Sequence, residues 1–229
     1  MFEARNVACR RGERLLFDLL NFSVTSGEAL VLGGANGSGK SSLLRVAAGL
    51  IRPAAGEFFW NGCVMRPHAE QHRRRLIYLG HADALKANLT LRENLRFWAD
   101  LAGLSDGQAV SAVAQALEED HLRSFADLPA RFLSAGQRRR LALSRLRLQP
   151  PSAAPLWLLD EPTNALDGDA KRRLLDLLRQ HLAVGGLIIL ATHDPLPELP
   201  GRHLTVDVFA SDPAGDPADV VHRNLGETL

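Results

Sequence analysis

The chain has 229 residues, 46% of them hydrophobic and 23% charged, which is enough for one large domain with a sizeable core. Lys plus Arg number 27 and Asp plus Glu 26, a formal net charge of +1, so no overall field draws the chain to nucleic acid or to an anionic membrane. No apolar run approaches the 18 residues of a membrane-spanning helix.

The first 25 residues and "GEFFWNG" (56–62) read as strands of a small antiparallel layer. "MFEARNVACRRGERL" carries charges from residue 3, so it is not expected to be a signal peptide. Cys9 and Cys63 form no C-x-x-C pair and are expected to be reduced thiols of a cytosolic protein. "ALVLGG" (29–34), "LIYL" (76–79), "LWLL" (156–159) and "LIILA" (187–191) are short, continuous apolar runs. Such runs suit strands buried on both faces of a mainly parallel sheet.

Helical patterns separate these runs. "SSLLRVAAGL" follows the first, and "ALDGDAKRRLLDLLRQHL" lies between the third and fourth. The alternation predicts an α/β fold. Residues 90–148 contain no strand-like run. Leu91, Leu95, Trp98 and Ala102 share one helical face there, and Thr90 with Glu93 forms a capping-box pattern. Further helices are expected over about 106–120 and from Ser134. Residues of about 82–148 therefore form an inserted helical subdomain within a domain of residues 1–210. "LTVDVF" (204–209) is a last strand candidate, and 211–229 is expected to be a loose tail. No internal repeat is visible.

"GANGSGKS" (34–41) fits G-x-x-x-x-G-K-[ST] between a strand and a helix. Gly34, Gly37 and Gly39 let the backbone of Ala35, Asn36 and Ser38 curl, so that its N–H groups face phosphate oxygens. The following helix, opening with Lys40, Ser41 and Ser42, adds its positive end. Lys40 can reach the β- and γ-phosphates, and the Ser41 hydroxyl can ligate Mg²⁺. A random chain of average composition would contain this pattern about once in a hundred cases. "LWLLDEP" ends a strand with Asp160 and Glu161. There, one carboxylate can hold a metal and the other can orient or deprotonate water.

"LSAGQRRRLALSRL" begins at Leu133, and Ser134 with Gln137 forms a capping box opening a helix. On this local reading Arg138, Arg139 and Arg140 are a solvated face. A small-residue helix N-terminus is also an anion site. It is separate from the Lys40 loop, so it is free to receive the phosphate of another subunit's nucleotide.

"GANGSGKS", "LSAGQ", "LWLLDEP", "NALD" (164–167) and "THD" (192–194) stand in the order seen in ATP-binding cassette (ABC) ATPases, which residues 1 to about 205 resemble. The resemblance implies a P-loop NTPase core with an N-terminal antiparallel β layer. It implies ATP and Mg²⁺ as ligands and a head-to-tail dimer with a second copy of the chain. Two ATP molecules would lie between the subunits, each against the phosphate loop of one and Ser134, Ala135, Gly136 and Gln137 of the other. By motif position Glu161 resembles the general base, His193 the γ-phosphate switch, and Asp167 an interface residue.

Three departures stand out. Arg11 occupies the place of an aromatic residue that stacks on adenine, and a guanidinium plane can also stack on a base. Ala135 replaces a glycine. "RLQPPSAAP" (147–155) lengthens the link into Leu156 and is expected to be a surface loop, with Pro150 and Pro151 ending the signature helix.

His81, in "LIYLGHADAL", stands where the family normally has a glutamine. A histidine at a strand end is usually structural. Its place between the ATP loop and the helical region marks His81 as a coupling residue and a weak metal contact. That "GH", with "APLWLLDEPTNALD" and "GGLIILATHDPL", resembles one branch of the family, the ATP-binding subunit of the cytochrome c maturation haem exporter. The resemblance implies an ATPase held by integral membrane subunits at the cytoplasmic face of the bacterial inner membrane. Its hydrolysis would drive haem export or haem release from a chaperone. The eight histidines are scattered and there is no C-x-x-C-H, so haem enters through resemblance alone. An ATPase serving a drug, lipid or small-molecule transporter stays open. So does a soluble non-transport ABC protein, although the chain has no basic surplus beyond 73–75 and 138–140 for nucleic acid.

Overall fold

The chain begins with two long strands, β1 (Phe2–Arg11) and β2 (Arg14–Val24), joined through a tight turn with Gly12 at φ 60°. β3 (Ala29–Gly33) leads into α1 (Lys40–Ala47), and β4 (Ala55–Trp60) and β5 (Cys63–Val64) follow. Then come α2 (Glu70–Arg74) and β6 (Leu76–Leu79), and next α3 (Leu91–Leu101), α4 (Asp106–Glu119) and α5 (Ala135–Leu143). β7 (Leu156–Asp160), α6 (Gly168–Ala183), β8 (Leu187–Ala191) and β9 (Gly201–Thr205) complete the order. This computed structural model describes residues 1–66, 69–150, 152–194 and 199–206.

The strands form two sheets, β2-β1-β4-β5 and β6-β7-β8-β3-β9. All pairs in the first are antiparallel and all pairs in the second parallel. Every residue of β7 and β8 is buried, because each strand has neighbours on both edges and apolar cover on both faces. This explains their unbroken apolar runs. β9 starts three residues before the expected 204. Residues 207–209 of the expected strand, like the tail 211–229, lie outside the described residues. Its Gly201, Arg202 and His203 are exposed and pair with β3 through backbone alone, and an edge strand of that kind leaves no hydrophobic signature.

Three apolar clusters organise the packing. Phe2, Phe17 and Phe58 of the antiparallel layer meet Leu43 and Leu44 of α1 and Leu158 and Ile189 of the parallel sheet. Leu174, Leu178 and Leu182 of α6 cover the other face, against Trp157, Leu159 and Ile188. Leu91, Leu95, Leu117 and Leu141 form a separate cluster among α3, α4 and α5. Thr90 and Glu93 do form a capping box, with Glu93 N–H donating to Thr90 Oγ1 at 3.1 Å. The inward face of α3 carries Leu91, Leu95 and Ala99, while Trp98 and Ala102 are half-buried. Cys9 is a buried and Cys63 an exposed free thiol.

The signature helix α5 ends at Leu143, well before the prolines expected to stop it, and Ser144–Arg147 is a 3₁₀ segment. Ser144 Oγ donates to Asp120 Oδ2 at 2.6 Å and lies 3.0 Å from Arg140 O, and Arg147 also binds Asp120. Ser144 Oγ competes for the Arg140 carbonyl where the α-helix tightens to 3₁₀, and the helical backbone continues to Leu148, just before Pro150. The 147–155 link is exposed at Pro150, Ser152 and Ala153, but Leu148 and Ala154 are buried.

Two buried histidines tie layers together. His72 Nδ1 accepts from Trp60 Nε1 at 3.1 Å, and its Nε2 lies 2.8 Å from Ala47 O. An indole N–H only donates and a carbonyl only accepts, so this ring is neutral with its proton on Nε2. Burial holds its pKa below the ordinary value. The His181 ring stacks on Trp157 with centroids 3.7 Å apart, and burial lowers its pKa to about 4. The unfolded chain therefore takes up this proton first. Stability is complete above the unfolded histidine value and is lost as pH falls toward 4. His181 alone should account for about 3 kcal/mol of that loss. Urea unfolding of His181→Phe between pH 7 and 4 should show a flatter decline than wild type; an equal decline contradicts this assignment.

Candidate functional site

Parallel strands point their C-terminal ends to one edge of the sheet, where open α/β folds bind ligands. Here the order β6-β7-β8-β3 brings four loops side by side. They carry His81, Asp160–Glu161, Thr192–His193 and the glycine-rich loop. A cleft of about 420 Å³ opens there. Its walls include Arg11, Asn36, Gly37, Gly39, Lys40, Ser41, Ser42, His81, Asp160, Glu161 and His193.

The loop owes its shape to glycines in the left-handed region. Gly34 has φ 121° and lies against the Val206 carbonyl, leaving no room for a Cβ. Gly39, at φ 108°, is the N-cap of α1 and supplies no side-chain cap. The first N–H groups of α1 thus stay free to bind an anion. Lys40 is buried, and its Nζ donates to Gly34 O at 2.7 Å and Ala35 O at 2.9 Å. Gly34, Ala35 and Ser38 are not among the residues lining the cleft; Ala35 is exposed, and the Ser38 hydroxyl is buried and unpartnered among the described residues.

Ser41 Oγ donates to Asp160 Oδ1 at 2.9 Å. Asp160 is 1% exposed, and its Oδ2 has no partner among the described residues. A buried carboxylate with an unsatisfied oxygen is costly unless a cation or donor meets it. Asp160 and Ser41 offer the hard oxygen ligands that suit Mg²⁺.

Glu161 follows β7 with φ 49°, and its N–H donates to Ala191 O at 2.8 Å. A non-glycine residue holds that backbone region only when its surroundings enforce it. Its Oε1 lies 3.4 Å from His193 Nε2. The neighbours of His193 are pinned. Asp194 N–H donates to Thr192 Oγ1 at 3.1 Å, and Lys171 pairs with the Asp194 carboxylate at 2.6 Å, which lowers that carboxyl's pKa.

The signature residues stand apart. Ser134 caps α5, and its N–H donates to Gln137 Oε1 at 2.8 Å. Ser134, Ala135, Gly136 and Gln137 are not among the described residues lining the cleft. Ala135 is exposed at the start of α5. Gly136 is the tighter position, since a Cβ there would stand 2.9 Å from Ala165 O. Asp167 caps α6, accepting from Ala170 N–H at 2.7 Å, and this bond lowers its pKa.

Arg139 is not part of a solvated face. It is 4% exposed and donates to several backbone carbonyls, including Asp160 O at 2.9 Å and Glu161 O at 2.7 Å. Its helical spacing to Ala142 and Leu143, both buried, was the available signal.

The family model described as ABC transporter matches residues 17–164. The chain belongs to the ABC transporter family. It is an ABC-type ATPase. It is 50% identical over 210 residues to the cytochrome c biogenesis ATP-binding export protein CcmA of Paramagnetospirillum magneticum, covering 91% of this chain and 95% of that one. The protein of that name from Rhodospirillum rubrum is 47% identical over 215 residues, covering 93% and 89%. Among solved structures, an ATP-binding subunit of an ABC transporter superposes with a TM-score of 0.81 at 26% identity, over 90% of this chain and 86% of that one. A dimeric ATP-binding cassette in a post-hydrolysis state with ADP and Pi gives 0.78 at 24% identity, over 90% and 94%, which speaks to the fold alone.

In this cassette Lys40→Met should weaken ATP binding at least tenfold, about 1.4 kcal/mol. Calorimetric titration with ATP checks it. Unchanged affinity would place the nucleotide elsewhere.

Proposed function

We propose that this chain is the ATP-hydrolysing subunit of a membrane exporter serving c-type cytochrome biogenesis, acting on haem or on its release from a chaperone. The mechanism rests on one observation above all. Glu161 and His193 face each other at 3.4 Å across the strand ends that also carry Lys40, Ser41 and Asp160. Identity of 43–50% to relatives named for cytochrome c biogenesis export supports the branch.

ATP would lay its phosphates on the N–H groups of residues 34–41, and Lys40 would exchange two carbonyls for phosphate oxygens. Ser41 and Asp160 would hold Mg²⁺, directly or through water. The ion supplies positive charge to the β- and γ-phosphate oxygens when bound. Glu161 then accepts a proton from the attacking water as the water oxygen bonds to the γ-phosphorus and the bond to the leaving ADP oxygen breaks. His193 orients Glu161 and contacts the γ-phosphate. Arg11 stacks on the base, and His81 couples the site to the helices packed beyond it.

A second copy would complete each site. Ser134–Gln137 form a capped helix N-terminus outside their own chain's cleft, suited to a partner's γ-phosphate, with Asp167 at the interface. No helix among the described residues is long and apolar enough to cross a membrane. Integral subunits would supply the passage and hold the cassette at the cytoplasmic face of the bacterial inner membrane.

Glu161→Gln should bind ATP normally while its turnover falls at least about a hundredfold; turnover near wild type contradicts the base assignment. Deleting the gene in its host should abolish holo-cytochromes c, measured by haem staining. Normal levels would reject the haem branch and leave the ATPase chemistry standing.

A further inference from the structure

Arg139 bonds to two segments outside its own helix α5, the loop after β6 and the turn after β7. Nη1 donates to Gly80 O at 3.2 Å and to Asp83 Oδ1 at 3.1 Å. Nη2 donates to Asp160 O at 2.9 Å and Glu161 O at 2.7 Å, and Nε to Pro162 O at 3.4 Å. The side chain is 5% exposed, with Asp83 as its charge partner. A guanidinium is a rigid plane with five N–H donors, and here every nitrogen is engaged. No lysine could hold this set.

The segment it grips holds a non-glycine residue in the left-handed region. Three consecutive carbonyls, from Asp160 to Pro162, are bonded to this one group, and the middle residue sits at φ 49°. The same group holds the carbonyl that precedes His81. Arg139 itself rides on α5, five residues after the Ser134 cap.

We propose that Arg139 is a positioning residue for hydrolysis. Its guanidinium fixes the backbone of Glu161 and thereby the aim of the Glu161 carboxylate. It also makes α5, the Glu161 turn and the His81 loop move as one piece. The proposal rests on the reading of Glu161 as the base.

The test compares ATP affinity with turnover in whichever preparation hydrolyses ATP, the cassette alone or with its membrane subunits. Arg139→Lys should keep ATP affinity within about threefold of wild type and lose roughly ten- to a hundredfold in turnover. Placed on Glu161→Gln, it should cost nothing further, because the group it aims is already gone. Asp83→Asn, which loosens one arm and keeps the size, should lower turnover severalfold.

Wild-type turnover in Arg139→Lys, or parallel losses of turnover and ATP affinity, overturns the proposal. If Arg139→Lys does not fold, unaltered turnover in Asp83→Asn overturns it. An inactive Glu161→Gln beside a normal Arg139→Lys removes only the positioning role. Normal hydrolysis by Glu161→Gln removes the base reading and this proposal together.

Discussion

The hydrogen bond from Ser41 to Asp160 holds the site together. It links the first turn of the helix after the glycine-rich loop to the end of the buried inner strand β7, residues 119 apart in the chain. Two things make it possible. Gly39 turns the backbone so that α1 begins without a side-chain cap, and β7 delivers a carboxylate at 1% exposure. The second oxygen of that carboxylate is unpartnered, so the contact is incomplete as it stands. A fold does not bury half a carboxylate's hydrogen-bonding capacity without cost. A cation beside Ser41 would satisfy it, and the other groups proposed to act in hydrolysis, Lys40, Glu161 and His193, line the same cleft.

The parallel sheet was largely legible in the sequence. Its inner strands β7 and β8 are buried on both faces, so "LWLL" and "LIILA" announce themselves by apolar runs with sharp ends. "LIYL", expected to be buried on both faces, is instead the edge strand β6, with Leu76 and Tyr78 only half-buried. The capping boxes at Thr90 and Ser134 were legible because their hydrogen bonds are local and need only a three-residue spacing. The shape of the glycine-rich loop was legible because Gly34, Gly37 and Gly39 stand where φ is positive, a region that favours glycine. β9 was misplaced because an edge strand is held by backbone bonds to β3 and needs no apolar pattern. The tightening of α5 into a 3₁₀ turn at Ser144 was not legible because the partner of Ser144 and Arg147, Asp120, lies on another element, although the helical backbone does stop just before Pro150. Arg139 was misread because three adjacent arginines look like a solvated face, whereas helix geometry buries Arg139 and leaves Arg138 and Arg140 half-buried, each bonded to a backbone carbonyl.

The packing divides the molecule in a way that bears on coupling. The helices α3, α4 and α5 have their own apolar cluster, distinct from the two that sandwich the parallel sheet. Polar groups bridge them to the site, with Arg139 reaching from α5 to the carbonyls around Glu161. Polar contacts of this kind are directional, so a shift of α5 would be felt at Glu161 as a change of aim more than as a loss of packing. An apolar contact at the same place would tolerate sliding.

The claim that Ser41 and Asp160 seat the cation is tested most directly by measuring ATP affinity with and without Mg²⁺, in wild type and Asp160→Asn. The account predicts that Mg²⁺ strengthens ATP binding in wild type, that this gain disappears in Asp160→Asn, and that Mg²⁺-free affinity is the same in both. An equal Mg²⁺-dependent gain in the two proteins would contradict it.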